Sequence, residues 1–157
     1  MTILNLNSTD HRILAEVQRD GRITNQELSE RVGLSPSPCL RRLKALESGG
    51  VIERYVALVD PKALGLDVVA FVRVRLEQQD DARLEAFERA VTSFPEVMDC
   101  YLMTGDCDYQ LRVLLPSLDA FEMFLRNKLT RLAGISQLTT SFALRPVVYR
   151  TTLPVAL

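Results

Sequence analysis

The sequence predicts an α+β chain: a three-helix head followed by a ferredoxin-like β-α-β-β-α-β sandwich. Three observations predict it. Apolar residues at helical spacing, punctuated by caps and glycines, fill residues 8–50. Alternating or β-branched runs at 70–77, 96–103, 109–115 and 137–144 read as strands. Two amphipathic helical stripes fall between those strands, in the order of the split βαβ pattern.

In the head, Ser8 or Thr9 can cap a first helix that runs to about Asp20, with Ile13, Leu14 and Val17 on its apolar stripe. Thr24 followed by Glu27 is a capping box, so a second helix opens there. Gly33 stops it, because glycine tolerates positive φ. Ser35 then caps a third helix with Pro36 at its first position, where a missing N–H costs nothing, and Gly49-Gly50 ends it. Two short helices joined by a glycine-containing turn form a helix-turn-helix unit, whose second helix enters the DNA major groove.

At 100° per residue, Cys39, Leu40, Leu43 and Leu46 share one side of that helix. Ser37, Arg41, Lys44 and Ser48 lie opposite, with Arg42 on the flank. Such a face can meet base edges and phosphates, or it can simply be solvated. The following run, 51–60, is rich in β-branched residues and predicts a strand or short wing, and PKALGLD predicts a helical turn and linker. The expected domains are therefore 1–60, a linker at 61–67, and 68–157.

In the rear part, Val72, Val74 and Leu76 alternate with Arg73, Arg75 and Glu77, which marks a half-buried strand. Residues 81–94 are helical, with Leu84, Phe87, Val91 and Phe94 inward and Pro95 as the stop. Two strands flank the turn TGDCD. A second helix over 117–132 turns Leu118, Phe121, Leu125, Leu129 and Leu132 inward, and Gly134 ends it. Leu138, Thr140, Phe142 and Leu144 share a face of the next strand, and 147–152 can add a last one. Both helices cover one sheet face. Val68-Val69 and Val147-Val148 leave apolar residues on both faces, so a dimer through the sheet is expected.

The 157 residues carry 19 Lys/Arg against 20 Asp/Glu, so no global positive field draws the chain to nucleic acid. The first 55 residues hold eight cations and seven anions. DNA binding must then come from a local basic patch and be salt-dependent. Three cysteines, without a C-x-x-C pair, read as free thiols in a reducing cytoplasm. MTILNLNSTDHR is not a signal peptide, and no run approaches a membrane span.

The stretches DGRITNQELSERVGLSPSPCLRRLKALE, GVIERYVALVDPKALG, LMTGDCDYQLRV and LTTSFALRPVVYRTTLP resemble the Lrp/AsnC family, the leucine-responsive or feast/famine regulators. The resemblance covers nearly the whole chain. It implies a winged helix-turn-helix head that binds double-stranded DNA, and a rear αβ sandwich related to the amino-acid-binding ACT fold. It also implies dimers that often assemble into octamers, and an amino-acid effector that changes assembly or DNA affinity. The C-terminal pattern resembles the branch answering to cysteine and to leucine or methionine.

The expected DNA contacts are Ser37, Arg41 and Lys44 in the groove and Ser35, Arg42 and Arg54 on phosphate. At TGDCDY, Gly105 permits a tight hairpin. A carboxylate from Asp106 or Asp108 can pair with an α-ammonium, and exposed turn amides can take an α-carboxylate. By resemblance, Gly105, Asp106, Asp108 and Tyr109 match the effector motif, with Met103 and Thr104 flanking it. Gln137, Thr139 and Ser141, on one strand face, either read the ligand's side chain or are merely solvated.

An enzyme is not expected. His11 is the sole histidine, and there is no phosphate-binding glycine loop, Cys–His pair or metal-spaced ligand set. No cofactor or metal is expected. A head that binds protein rather than DNA is the other reading, and Arg41, Arg42 and Lys44 discriminate the two.

Overall fold

Asn7 caps the first helix, α1 (Ser8–Arg19): its side chain accepts the Thr9 and Asp10 amides, and Asp10 reaches back to the Asn7 amide. The expected cap at Ser8 or Thr9 therefore gives way to the residue before it, where a reciprocal box satisfies more of the orphan N–H groups. The structure is a computed structural model that describes residues 6–155. The first five residues of the stretch read as leaderless, and the last two of the expected rear domain, lie outside the described residues.

The second helix, α2 (Asn25–Val32), opens with the Thr24–Glu27 box and ends at Gly33, φ +70°. The third, α3 (Pro36–Ser48), starts on Pro36, but Ser35 makes no side-chain capping bond. Ile13, Leu14, Val17, Leu28, Val32, Cys39 and Leu46 form the core of the head. Leu43 packs at its edge, whereas Leu40, expected inside, stays 39% exposed.

Two expected strands do not form. Residues 51–60 carry no ladder, and Tyr55 instead donates its hydroxyl to Glu47 at 2.9 Å. Residues 147–155 also lack regular structure. The Leu153 amide donates to Gln18 Oε1 at 2.7 Å, and Gln18 Nε2 donates to the Leu153 carbonyl at 3.3 Å. Both backbone groups of Leu153 are thus taken by one side chain of α1, and Val155 joins the core of the head. By compactness the chain divides into two units, one running to Leu58 and resuming at Val147, the other Val59–Pro146.

The second unit begins with a 3-10 turn, Pro61–Leu64, closed by Gly65. It continues through β1 (Val68–Leu76), α4 (Asp81–Thr92), β2 (Val97–Leu102), β3 (Tyr109–Leu115), α5 (Leu118–Asn127) and β4 (Ile135–Phe142). The sheet is antiparallel in the order β2-β3-β1-β4, the ferredoxin-like arrangement. Ala70, Val72, Val74, Leu76, Tyr109, Leu111, Val113 and Leu115 meet Phe87 and Val91 of α4 and Phe121 and Phe124 of α5. Each fully buried valine or leucine contributes about 1.5–3 kcal/mol of hydrophobic transfer.

The second helix of the sandwich is shorter than the spacing predicts. After Asn127 the chain tightens into a 3-10 turn, Leu129–Arg131. Leu118 lies at its first turn and is 61% exposed, while Phe124 takes an inward place. Leu144 falls beyond the end of β4 and is fully exposed. Phe142 does face the helices, edge-on to Phe121 at 5.1 Å.

The pleat fixes what the other sheet face carries. By register, Arg73 and Arg75 of β1 sit beside Thr139 and Gln137 of β4. Gln110 and Arg112 of β3 share that face, and Arg112 is ion-paired to Asp99 of β2. The face is polar at this end; Val69, Phe71 and Leu114 make its other end apolar.

Candidate functional site

Two surfaces collect the residues singled out above, one in each unit. In the head, Ser35, Ser37, Arg41, Lys44 and Arg54 are all exposed. Ser37, Arg41 and Lys44 lie on the side of α3 away from Cys39 and Leu46, so the buried stripe orients them outward. Arg42 differs. Its guanidinium donates to Asp10 Oδ1 at 3.0 Å, and the other Asp10 oxygen accepts the Asn7 amide at 3.1 Å. Arg42 therefore ties α3 to the cap of α1. Asp10, buried in the head, is a structural partner that sequence reasoning missed; its only signal was its place three residues after Asn7.

The second surface is the β2–β3 hairpin. Residues 103–108 form the loop, closed by the Met103 amide donating to the Asp108 carbonyl at 2.8 Å. Gly105 sits at φ +112°, a region that side chains strongly disfavour, so the turn requires glycine. Asp106 projects to the open sheet face, where its carboxylate accepts Arg73 Nη1 at 2.8 Å. Its carbonyl accepts Arg75 Nη2 at 2.7 Å. Arg73, Arg75, Asp106, Cys107, Gln137 and Thr139 line a cavity of about 250 Å³.

Asp106, Gln137 and Thr139 are thus brought together around one cavity. Met103, Thr104 and Gly105 are exposed in the loop above them, and Ser141 lies one pleat further along β4, outside the lining. Asp108 and Tyr109 are placed elsewhere. Asp108 is buried, and its oxygens accept the Leu76 amide and Gln79 Nε2, each at 2.6 Å. Tyr109 turns into the core, 4.5 Å from the Phe87 ring, and donates to Glu88 at 2.8 Å. Burial, and then the Glu88 carboxylate, push its phenol well above the ordinary range. Both residues hold the hairpin on the sheet; neither lines the cavity. Arg73 and Arg75 were legible only as the outward half of an alternating strand. Their convergence on Asp106 depends on which loop lies beside β1.

The remaining chemistry is sparse. Partial desolvation and Glu88 push the Cys100 thiol up to about 11, so it is no thiolate at neutral pH. Among the described residues there is no group of three or more His, Cys, Asp or Glu that could hold a metal. No described helix is long and apolar enough to cross a membrane.

Comparison with known proteins gives this arrangement a family. Residues 6–53 match the winged helix-turn-helix DNA-binding domain, and residues 69–153 match the Lrp/AsnC ligand binding domain. The chain belongs to the Lrp/AsnC family. The leucine-responsive regulatory protein of Rhizobium meliloti is 43% identical over 142 residues, covering 90% of this chain and 91% of that protein. The Escherichia coli K12 protein of the same name is 40% identical, covering 90% and 87%. Among solved structures, the L-Met complex of a transcriptional regulator from Neisseria meningitidis superposes with a TM-score of 0.91 at 42% identity, covering 95% of this chain and 96% of that one. E. coli AsnC gives 0.85 at 27% identity, covering 93% and 97%.

This Lrp/AsnC chain is a sequence-specific DNA-binding transcriptional regulator whose assembly or DNA affinity responds to a small amino acid. It is a regulator and not an enzyme. Its two surfaces divide accordingly: the head carries the DNA-binding element, and the sandwich carries the ligand-binding one.

Proposed function

We propose that Ser37, Arg41 and Lys44 of α3 enter the major groove, while Ser35 and Arg54 meet phosphates. The observation that carries this is the contrast along one helix: Arg42 is engaged by Asp10, whereas Arg41 and Lys44 are exposed with no intramolecular ion pair among the described residues. Arg42 acts by fixing the angle of α3 and not as a phosphate ligand. In a dimer, two such helices would meet half-sites about one helical turn, or a multiple of it, apart. Gel shifts on the protein's own promoter across a salt series test the assignment. Arg41→Ala should weaken specific binding and leave the melting temperature unchanged; undiminished binding by that variant rejects the role.

The effector site is the cavity beneath the β2–β3 hairpin. Asp106 takes the α-ammonium, the loop amides of 103–106 take the α-carboxylate, and Gln137 and Thr139 border the side chain. Asp108 and Tyr109 contribute by holding the loop in place. Leucine, methionine and cysteine are the effectors suggested by the resemblance. The relatives' name and the L-Met complex of the Neisseria regulator support the first two. The protein acts in the cytoplasm as a homodimer formed through the sheet, and dimers assemble further into octamers. Asp106→Ala should abolish the ligand-induced thermal shift while leaving the fold intact.

A further inference from the structure

Gln18 of α1 holds the far end of the chain. Its Oε1 accepts the Leu153 amide at 2.7 Å, and its Nε2 donates to the Leu153 carbonyl at 3.3 Å. The side-chain amide offers one residue both a donor and an acceptor, as a neighbouring strand would, and so selects the position at which the tail docks. The local sequence prepares the segment for this. Leu153 precedes a proline, which biases it to extended backbone, and Pro154 has no N–H to satisfy. Val155 then packs against the core of the head. By compactness this tail belongs to the head, although in sequence it follows the sandwich.

The two units are therefore joined twice. The first connection, residues 53–59, makes no backbone hydrogen bond among the described residues. The second continues β4: the Ala143 amide still donates to the Val69 carbonyl at 2.9 Å, and the chain then passes through Pro146 to the docked tail. β4 is an edge strand, laddered to β1 alone. It carries Gln137 and Thr139 of the cavity lining, and its register with β1 is irregular between Arg75 and Leu76. A strand paired on one side only, with an irregularity at one end, has fewer ladder bonds to exchange when it shifts than an inner strand has.

We infer that the tail is a strap that carries the state of the effector cavity to the DNA-binding head, with Gln18 as its anchor, resting on the effector site proposed above. An amino acid bordered by Gln137 and Thr139 acts on β4, and the strap delivers the displacement of β4 to α1. The Asp10–Arg42 pair at 3.0 Å then passes it from α1 to α3, the helix that bears Arg41 and Lys44. Gln18 is a positioning residue that touches neither DNA nor effector.

The test slackens the strap without undocking it. Four glycines are inserted between Leu144, which is fully exposed, and Arg145; the comparison protein carries the same insertion between Ala57 and Leu58, and Gln18→Ala is the third variant. Each full chain is titrated with L-leucine and L-methionine by calorimetry, and with its own promoter in the presence and absence of the amino acid. In the wild type the amino acid should shift apparent DNA affinity about fivefold or more. The 144/145 insertion should keep amino-acid binding and unliganded DNA binding, and bring that ratio close to one. The 57/58 insertion should respond as the wild type does, and Gln18→Ala should respond less. A wild-type response in the 144/145 insertion, an equal loss in both insertions, or an unchanged response in Gln18→Ala overturns the strap and leaves the site standing. Wild-type binding of neither amino acid overturns the site as assigned, and the strap with it.

Discussion

The Asp108 carboxylate accepts the Leu76 amide at 2.6 Å and thereby fastens the β2–β3 hairpin to the end of β1. Its other oxygen takes Gln79 Nε2, and its own amide donates to the Val74 carbonyl at 2.9 Å. One oxygen is spent on the backbone and the other on the Gln79 side chain, and its role is to place its exposed neighbour Asp106 over Arg73. Asp108→Ala should destabilise the chain by about 1–3 kcal/mol in urea unfolding, because a buried amide loses its acceptor. Amino-acid affinity should fall with it, through loosening of the loop.

Arg41 and Arg42 are adjacent but should fail in different assays. Arg41→Ala should cost about 1–3 kcal/mol of specific DNA affinity if it reads a base, with no change in melting temperature. Arg42→Ala should lower the melting temperature of the head. Because Asp10 is buried and loses a donor, the cost should be about 1–3 kcal/mol. Arg54→Ala, as loss of a phosphate contact, should reduce the slope of log affinity against log salt by about 1.

The cap of α2 gives a pH dependence. The Thr24 hydroxyl and then its amide hold the Glu27 carboxyl below its ordinary 4.5. A folded-state pKa below the unfolded one stabilises above the unfolded value and is lost as pH falls through the folded value. Melting temperatures measured from pH 6 down to pH 3 should therefore decline less steeply in Glu27→Gln than in wild type.

Gly105 at φ +112° has nothing within 4 Å of where a Cβ would stand. A substitution there meets no clash, only backbone strain. Gly105→Ala should cost about 1–3 kcal/mol and perturb the loop amides proposed to take the α-carboxylate. Gly33→Ala, at φ +70°, should cost about 1–2 kcal/mol and act on the head alone.

Local patterns explain what the sequence disclosed and what it withheld. The Thr24–Glu27 box, the Gly33 stop, Pro36 and the alternation of Val72, Val74 and Leu76 are nearest-neighbour signals, and each stands where the pattern put it. The third helix face was right for Cys39 and Leu46, yet Leu40 stayed out because the stripe is narrower than helical spacing suggests. The β-branched run at 51–60 has strand composition, but no strand among the described residues pairs with it. The run 147–152 was misread for a different reason: just after it, Gln18, 135 positions away in sequence, takes the Leu153 backbone.

The site was legible in part. The resemblance pointed to Asp106 and to the strand after the last helix, whose Gln137 and Thr139 line the cavity with it. Asp108 and Tyr109 could not be told from their neighbours, because which of the residues after Gly105 points inward depends on how the hairpin meets β1. Arg75 gained its meaning only once Asp106 was placed beside it.

The most direct measurement is a DNA-binding titration of the full chain on its own promoter, with and without amino acid, in wild type and in Asp106→Ala. The account predicts that the amino acid shifts the apparent affinity or the stoichiometry of the wild-type complex, and that Asp106→Ala binds DNA normally but no longer responds. A variant that still responds as the wild type does would contradict it.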